Sequence, residues 1–578
     1  MRHASRFIKS ALVAMAFCGN IAAADLLDSV DFTAKLSDWI TTRQPSDYNT
    51  EYFDGLTMDG MYRVWKRTAT PAYYTFFKSW IDQFVTTSGI VDWGFSDCLD
   101  MMHNGFALCY MYEKTGEQKY KTCAQQIRTA FNQYPKHSPE GTPEHQRGSL
   151  PQCIWLDGLW MLGHFFTNYG RVIGEKNYVD SVCVAHALHM HAFNKDIDTV
   201  NQPPWHASCP PQPRGEKWCR AIGWYVMQLA DLIDAIPTNH PNRQALISIL
   251  ASTLRSLQHY QDTTSGLWYE VVNKPDSAGN WVELSSACMY SYAMRKGIDS
   301  GWLDSTEFYA CAKLAYQAIM GCAIINSQGY PVLYGCVQGT DVGTYSYYID
   351  QGQPINDPHG TGAWLISAEY QRGKYGANIR RIYQAESAAF AGTAESNGRG
   401  FTGSGYVNTT NAAGSHIQWT VYSARAESRK ITLRYANDGT AKPASVKVNG
   451  AAAGSLRFPG TGSSERYLGQ SITAALNAGN NTIRLEAESA AGCANIDLLA
   501  SDPLQPSVGI ADRNGVAAPR QPMREPKAVR TANPAWFDLS GRRAAVSPIK
   551  RGVIIMRAGA SALAMAIMGP DVSRLKSR

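Results

Sequence analysis

The chain has 578 residues, 44% of them hydrophobic and 18% charged, with 15 Trp and 30 Tyr. That length excludes one small core and points to two or more domains, and that composition excludes a disordered chain. The net charge of +6 suits an anionic substrate, and without a dense basic run it gives no footprint for nucleic acid.

In chain order, the first 24 residues read as a secretory signal peptide. Arg2, Arg6 and Lys9 form a basic region, residues 10–18 an apolar one, and Ala22-Ala23-Ala24 a small-residue cleavage site before Asp25. The apolar stretch is too short to span a bilayer and nothing later reaches its length, so an exported protein without a transmembrane segment is expected. Cys18 lacks the preceding small residue of a lipoprotein signal. The other 12 cysteines contain no CxxC pair, which argues against a zinc cluster. Cys209 and Cys219 bracket a Pro-rich loop and could form a disulfide, the pairing staying open, and the rest read mostly as buried thiols.

Residues 25–378 repeat a unit of apolar helix, small turn, second helix and longer loop. The clearest runs from Gly105 through Thr115-Gly116 to Lys119-Tyr120, where Thr-Gly ends one helix and the next begins. Further units start near Gly60, Gly158, Gly223, Met289 and Gly360. The return helix of the last falls to the N-terminal segment around residues 31–43. Six hairpins with aromatic-rich loops on one side predict a closed all-α (α/α)6 toroid, with an open solenoid as the alternative.

Residues 382–501 change character, with alternating runs such as Ile417-Gln418-Trp419-Thr420-Val421-Tyr422, and predict an all-β sandwich. A Pro-, Ala- and Arg-rich linker spans 502–533. Residues 534–578 hold two strand-like runs and predict a small β tail.

Acidic, aromatic and His residues gather where the inner helices begin: Asp97 and Asp100, Trp155 and Asp157, Trp218, Arg220 and Trp224, and Asp357 with His359. His191 ends the helix before the fourth unit. If the ring closes, these starts meet at one mouth, where carboxylates, an Arg, a His and several Trp suit a uronate. Singly, an Asp at a helix start is most often a cap, and Arg220 beside two Trp a cation–π stack.

At these residues the sequence resembles the family 105 glycoside hydrolases, the unsaturated rhamnogalacturonyl hydrolases, over about residues 50–372. The likeness rests on Leu99-Asp100, Tyr112-Glu113-Lys114-Thr115-Gly116, Trp155-Leu156-Asp157-Gly158-Leu159 and Trp218 to Tyr225. Gly266-Leu267-Trp268-Tyr269, Trp281 to Ser286 and Asn356-Asp357-Pro358 continue it. The resemblance implies cleavage of a 4,5-unsaturated uronyl residue by hydration of its double bond, with no catalytic cofactor. It implies Asp157 as general acid and base and Asp100 as its partner on sugar hydroxyls or water. His191 and Arg220 would hold the substrate carboxylate and Trp224 would stack on the ring. Trp155, Trp218, His359 and His145 complete the implied binding set. The family's usual His-Lys pair is replaced by His145-Gln146-Arg147, so His145 fits only with a shifted register and the leaving sugar stays open.

The region 382–501 resembles carbohydrate-binding modules of the family 6 and 35 kind, through Tyr383-Gln384-Ala385-Glu386 and Ala494 to Leu498. That likeness implies a structural calcium held by Glu386 and Asp497, with Gln384 in place of a frequent Glu, and a plant cell-wall polysaccharide as ligand. The tail resembles C-terminal sorting modules for export and surface attachment. Three alternatives stay open: an unsaturated glucuronyl hydrolase on another uronic polysaccharide, a polysaccharide lyase on the same barrel, and a non-catalytic surface glycan-binding protein.

Overall fold

A computed structural model describes residues 30–95, 97–137, 141–146, 153–193, 202–209, 212–375 and 380–504, and three short strands near the C terminus. The expected signal peptide 1–24, nearly all of the expected linker 502–533 and the run 536–543 lie outside the described residues.

The helical domain is built from α1 (Phe32–Thr41), α2 (Tyr52–Thr68), α3 (Pro71–Asp82), α4 (Leu99–His103), α5 (Gly105–Thr115), α6 (Gln118–Ala130), α7 (Asp157–Val172), α8 (Lys176–Phe193), α9 (Cys219–Ala235), α10 (Arg243–His259), α11 (Leu284–Asp299), α12 (Ser305–Gly321), α13 (Tyr345–Ile349) and α14 (Pro358–Gln371). The inner helices α7, α9, α11 and α14 are buried along most of their length, as helices apolar on all sides must be. Contacts run α7 to α9, α9 to α11, α11 to α14 and α14 back to α2, so the ring is closed. Stacking of Tyr62 on Tyr110, with centroids 4.7 Å apart, joins α2 to α5. The seam is sealed by α1: Thr33 Oγ1 donates to Glu369 at 2.7 Å, and Arg67 Nη1 lies 2.9 Å from Asp31. Gly116 illustrates the punctuation between helices. Its φ of 73° lets its N–H reach the Tyr112 carbonyl at 2.8 Å and ends α5.

The β-sandwich consists of two antiparallel sheets. One has the order Gly392–Glu395, Tyr406–Thr409, Asn495–Pro503, Glu427–Ala436, Leu468–Leu476, and Arg381–Gln384 also pairs with Asn495–Pro503. The other orders Ala389–Phe390, His416–Ser423, Gly479–Ala487, Lys442–Val448 and Ala451–Phe458. Ile417, Trp419 and Val421 point into the core while Thr420 and Tyr422 are exposed, the alternation of a strand with one wet face. The first sheet is covered on its other side too. Ile382, Leu498 and Ala500 belong to the core of the helical domain, and Arg380 Nη1 donates to the Thr263 carbonyl at 3.1 Å.

The disulfide corrects the sequence expectation. Cys209 pairs with Cys153, not with Cys219. Ile154 faces Ser208 across antiparallel strands, which sets Cys153 opposite Cys209 with Cα atoms 4.2 Å apart. Cys219 opens α9 as a buried thiol, its Sγ 3.3 Å from Glu270. Separately, Val546–Ile549, Val553–Ala558 and Ser561–Ala566 form a three-stranded antiparallel sheet in a second unit; the middle strand overlaps the expected run 550–557, and the other two strands were not anticipated.

Candidate active site

Asp157 is the first residue of α7 and is 5% exposed. Its Oδ2 lies 3.1 Å from His206 Nε2. The contact is short but off the N–H axis, so neither atom makes an aligned hydrogen bond. Burial works to raise the Asp157 carboxyl, but His206 and then His145 outweigh it and hold it below the ordinary carboxylate value. The same strand pair positions both partners: Trp155 faces Ala207, and the Leu156 N–H donates to the His206 carbonyl at 3.0 Å. The Cys153–Cys209 disulfide closes this pair one residue further out.

Asp100 sits in the first turn of α4, with its Oδ1 3.3 Å from His145 Nε2. The His145 ring stacks on Trp155 at 4.2 Å and 13°. Burial opposes charge on His145, yet Asp100 outweighs it and raises the imidazole above its ordinary value.

Arg220, in the first turn of α9, is fully buried with its guanidinium 4.8 Å over the Trp218 ring. Nη1 donates to the Val337 carbonyl and Nη2 to the Gln338 carbonyl at 2.6 Å, leaving Nε without a hydrogen-bond partner. Trp218 Nε1 donates to Glu270 at 2.7 Å. Burial, with Glu283 nearby, pushes the Glu270 carboxyl up to about 8 despite Arg220. Glu283 caps α11, accepting from the Ser285 and Ser286 N–H groups.

Asp357 caps α14, accepts from the His359 N–H and lies 2.6 Å from His359 Nδ1. Burial and then Arg220 push His359 below its ordinary value. A neutral ring bonded to Asp357 through Nδ1–H leaves Nε2 to accept from the Tyr52 hydroxyl at 2.7 Å. Tyr52 packs edge-on to Trp224, which stacks on Trp160 at 5.8 Å, and the indole Nε1 atoms of both Trp224 and Trp160 lack partners. The Tyr52 hydroxyl feels Arg220, Asp100, Asp157 and Asp357 together. The starts of α2, α4, α7, α9 and α14 therefore meet around one mouth.

His191 differs from most of the other expected residues in its exposure. It is partly exposed in the last turn of α8, and helical periodicity turns it about 140° from His186. His186 Nε2 lies 3.3 Å from the Trp155 carbonyl, and a Cβ at Gly158 would meet its ring at 3.0 Å. Beside Asp157, α8 contributes His186, and the loop after α8 contributes His206. Sequence reading missed His186, His206, Tyr52 and Tyr348. His206 follows Trp205 just before Cys209, and that short run carries no local signal for its partner.

In the sandwich, Glu386 and Asp497 gather around Thr402 and Gly403. Thr402 N donates to Asp497 Oδ1 at 2.6 Å, and Thr402 Oγ1 donates to Gln384 Oε1 at 3.0 Å. A Cβ at Gly403 would meet Glu386 Oε1 at 2.4 Å and Gln384 Cδ at 2.8 Å. Ser404 N donates to Glu386 Oε1 at 2.7 Å, and the buried Oε2 has no partner. Burial pushes the Glu386 carboxyl up to about 8. This orphaned oxygen among amide and hydroxyl oxygens fits a hard cation. Asp497 fits less well, because Arg434 Nη1 already lies 2.6 Å from its Oδ2. Among the described residues, no group of three or more His, Cys, Asp or Glu is placed to hold a metal.

The comparisons agree with this division. The family described as Glycosyl Hydrolase Family 88 matches residues 31–373, and Carbohydrate binding module (family 35) matches residues 381–504. A family 105 glycoside hydrolase structure from C. acetobutylicum is 28% identical with a TM-score of 0.55, covering 59% of this chain and 99% of that one. A possible family 105 member from Salmonella enterica shares the fold at 19% identity and a TM-score of 0.52, covering 62% of this chain and 96% of that one. Endo-1,4-beta-xylanase B from Cellvibrio japonicus is 40% identical over 111 residues, but the match spans only 19% of this chain and 18% of that protein. An unsaturated 3S-rhamnoglycuronyl hydrolase from Formosa agariphila is 24% identical over 39% of this chain and 59% of its own length. Helical ring and β-sandwich thus each have their counterpart, and the chain belongs to Glycosyl Hydrolase Family 88 and carries a family 35 carbohydrate-binding module.

Proposed function

We propose that this chain removes 4,5-unsaturated galacturonyl residues from the non-reducing ends of pectin- and rhamnogalacturonan-derived oligosaccharides. The observation that carries this reading is the buried Asp157–His206 pair at the mouth where Asp100, Asp357 and Arg220 converge. The substrate is an enol ether conjugated to a carboxylate. Asp157 gives a proton to C4, and positive charge develops at C5 and the ring oxygen. Water adds at C5 while the Asp157 carboxylate takes its proton. The hemiketal opens to a ketone, and the hemiacetal left at C1 then releases the leaving sugar. Arg220 supplies positive potential for the uronate from beneath Trp218. Asp100, with His145, is suited to hold sugar hydroxyls or orient the water.

Absorbance of the conjugated double bond tests this directly. With purified enzyme and unsaturated rhamnogalacturonan oligosaccharides the signal is expected to fall. A signal that rises on intact polymer would identify a lyase, and no change across a panel of unsaturated oligosaccharides would identify a glycan-binding protein. The relative named an unsaturated 3S-rhamnoglycuronyl hydrolase favours a second reading, the same chemistry on another uronic polysaccharide. Faster turnover of those panel members would select it.

The sandwich is suited to hold the enzyme on plant cell-wall polysaccharide, and the basic, apolar and small-residue order of the N terminus supports export. For the sandwich we also propose a calcium, held through Glu386 with Gln384 and Thr402 beside it. Calcium at about 100 times its Kd is then expected to stabilise the module by about 2.7 kcal/mol in thermal unfolding. Glu386→Gln should abolish that response, and a wild-type protein indifferent to both calcium and chelator would remove calcium from the account.

A further inference from the structure

Tyr348, on α13, has no part in the mechanism above, yet its hydroxyl lies 2.7 Å from His206 Nδ1. We propose that Tyr348 is a positioning residue that fixes the tautomer of His206 and through it stabilises the Asp157 carboxylate. The inference rests on Asp157 being the acid of the proposed reaction.

Donor counting carries it. The Tyr348 oxygen accepts from the Gly343 N–H at 3.1 Å, and Asp157 Oδ2, which can only accept, lies 3.1 Å from His206 Nε2. A carboxylate has no hydrogen to give, so the ring hydrogen belongs on the nitrogen beside it, and Nδ1 is left to accept the Tyr348 O–H. A nitrogen that accepts carries no hydrogen. The ring hydrogen is therefore on Nε2, the atom 3.1 Å from Asp157 Oδ2. The other tautomer would turn a bare lone pair toward the carboxylate. As Asp157 yields its proton to C4, negative charge grows beside Nε2–H, and a contact that is off-axis in the empty site can tighten then.

The surroundings hold this arrangement. Trp218 stacks on Tyr348 at 5.9 Å, and Trp281 Nε1 donates to the Ile349 carbonyl at 3.3 Å. Arg399 of the sandwich also donates to that carbonyl and lies 3.3 Å from Asp350, so the binding module braces the segment that carries Tyr348. Gly215, at φ +80°, lets the backbone approach; a Cβ there would meet the Tyr348 oxygen at 2.6 Å. Asp157, Glu270, His145 and Tyr52 are the titratable groups that face Tyr348 and the His206–Asp157 pair.

Tyr348→Phe keeps the ring and removes the donor. It is expected to lower kcat about tenfold with KM within about twofold. The alkaline limb of kcat should move to higher pH, because an Asp157 carboxylate without its Nε2–H partner keeps its proton longer. A readout free of turnover is the imidazole 15N signal of His206 in the full chain labelled with 15N-histidine, assigned by its loss in His206→Gln. Wild type should show hydrogen on Nε2, and Tyr348→Phe a mixture of tautomers. Should Tyr348→Phe fail to fold, Gly215→Ala, which displaces the hydroxyl, should give the same mixture. Hydrogen on Nδ1 in wild type, or an unchanged tautomer and pH profile in the variant, would overturn the proposal. A wild type inactive on every unsaturated oligosaccharide would instead overturn the activity, leaving the tautomer to judge Tyr348.

Discussion

Asp157→Asn is expected to lower kcat by about a thousandfold while leaving the affinity for unsaturated oligosaccharides within a few-fold. The amide fills the space of the carboxyl at the start of α7, and the strand pair and disulfide that frame it are untouched. Only the transferable proton is lost. Rates from the double-bond absorbance and titration calorimetry on the inactive variant separate the two effects; activity within tenfold of wild type would remove Asp157 from the chemistry. The pH dependence sharpens the test. Burial favours the protonated form, but His206 and His145 hold the Asp157 carboxyl below its ordinary value in the empty site. An acid must carry its proton, so activity falls as pH rises through its pKa. A bound uronate adds a second negative charge nearby and raises that pKa. The alkaline limb of kcat, which reports the complex, is therefore expected at higher pH than that of kcat/KM, which reports the free enzyme. Coincident limbs would mean that the proton comes from elsewhere.

What the sequence revealed of this site was its local part. Asp157, Trp218, Arg220 and His359 all stand at helix starts, where Asp, Gly and aromatic residues in sequence mark both the boundary and the chemistry. The helical ring and the sandwich were legible for the same reason, since periodicity and turn residues act over a few positions. His206 was not legible, because it reaches Asp157 only through the pairing of Ile154 with Ser208, a long-range register with no local signal. The disulfide failed for that reason too: a short Pro-rich loop suggested Cys209 with Cys219, and register chose Cys153. His191 drew attention at a helix end, whereas burial beside Asp157 falls to His186 on another face of α8. Arg434 lies in the strand Glu427–Ala436, where simple alternation would leave one face wet. Here both faces of residues 431–436 are buried, one in the sandwich core and one toward the helical domain.

That burial makes Arg434→Met the most damaging change expected in the sandwich, a loss of about 3–5 kcal/mol. Arg434 is fully buried, and its Nη1 lies 2.6 Å from Asp497 and donates to the Gly400 carbonyl at 2.8 Å. Its Nε is 3.7 Å from Asp262 of the helical domain, and Tyr467 lies beneath the guanidinium at 4.5 Å. Burial works against the charge, but Asp497 and Asp262 outweigh it and raise the guanidinium further above its ordinary value. Methionine matches the stem and removes the cation, leaving Asp497 in the core with only Thr402 as donor. Trp419 is the only tryptophan within 381–504, so Trp419→Phe run in parallel isolates the sandwich signal in denaturant unfolding. The cost arises from an unpaired buried charge rather than from lost attraction. The double change Arg434→Met with Asp497→Leu is therefore expected to recover most of the stability. A double variant no more stable than Arg434→Met alone would show instead that the guanidinium holds the module through Gly400 and the helical domain.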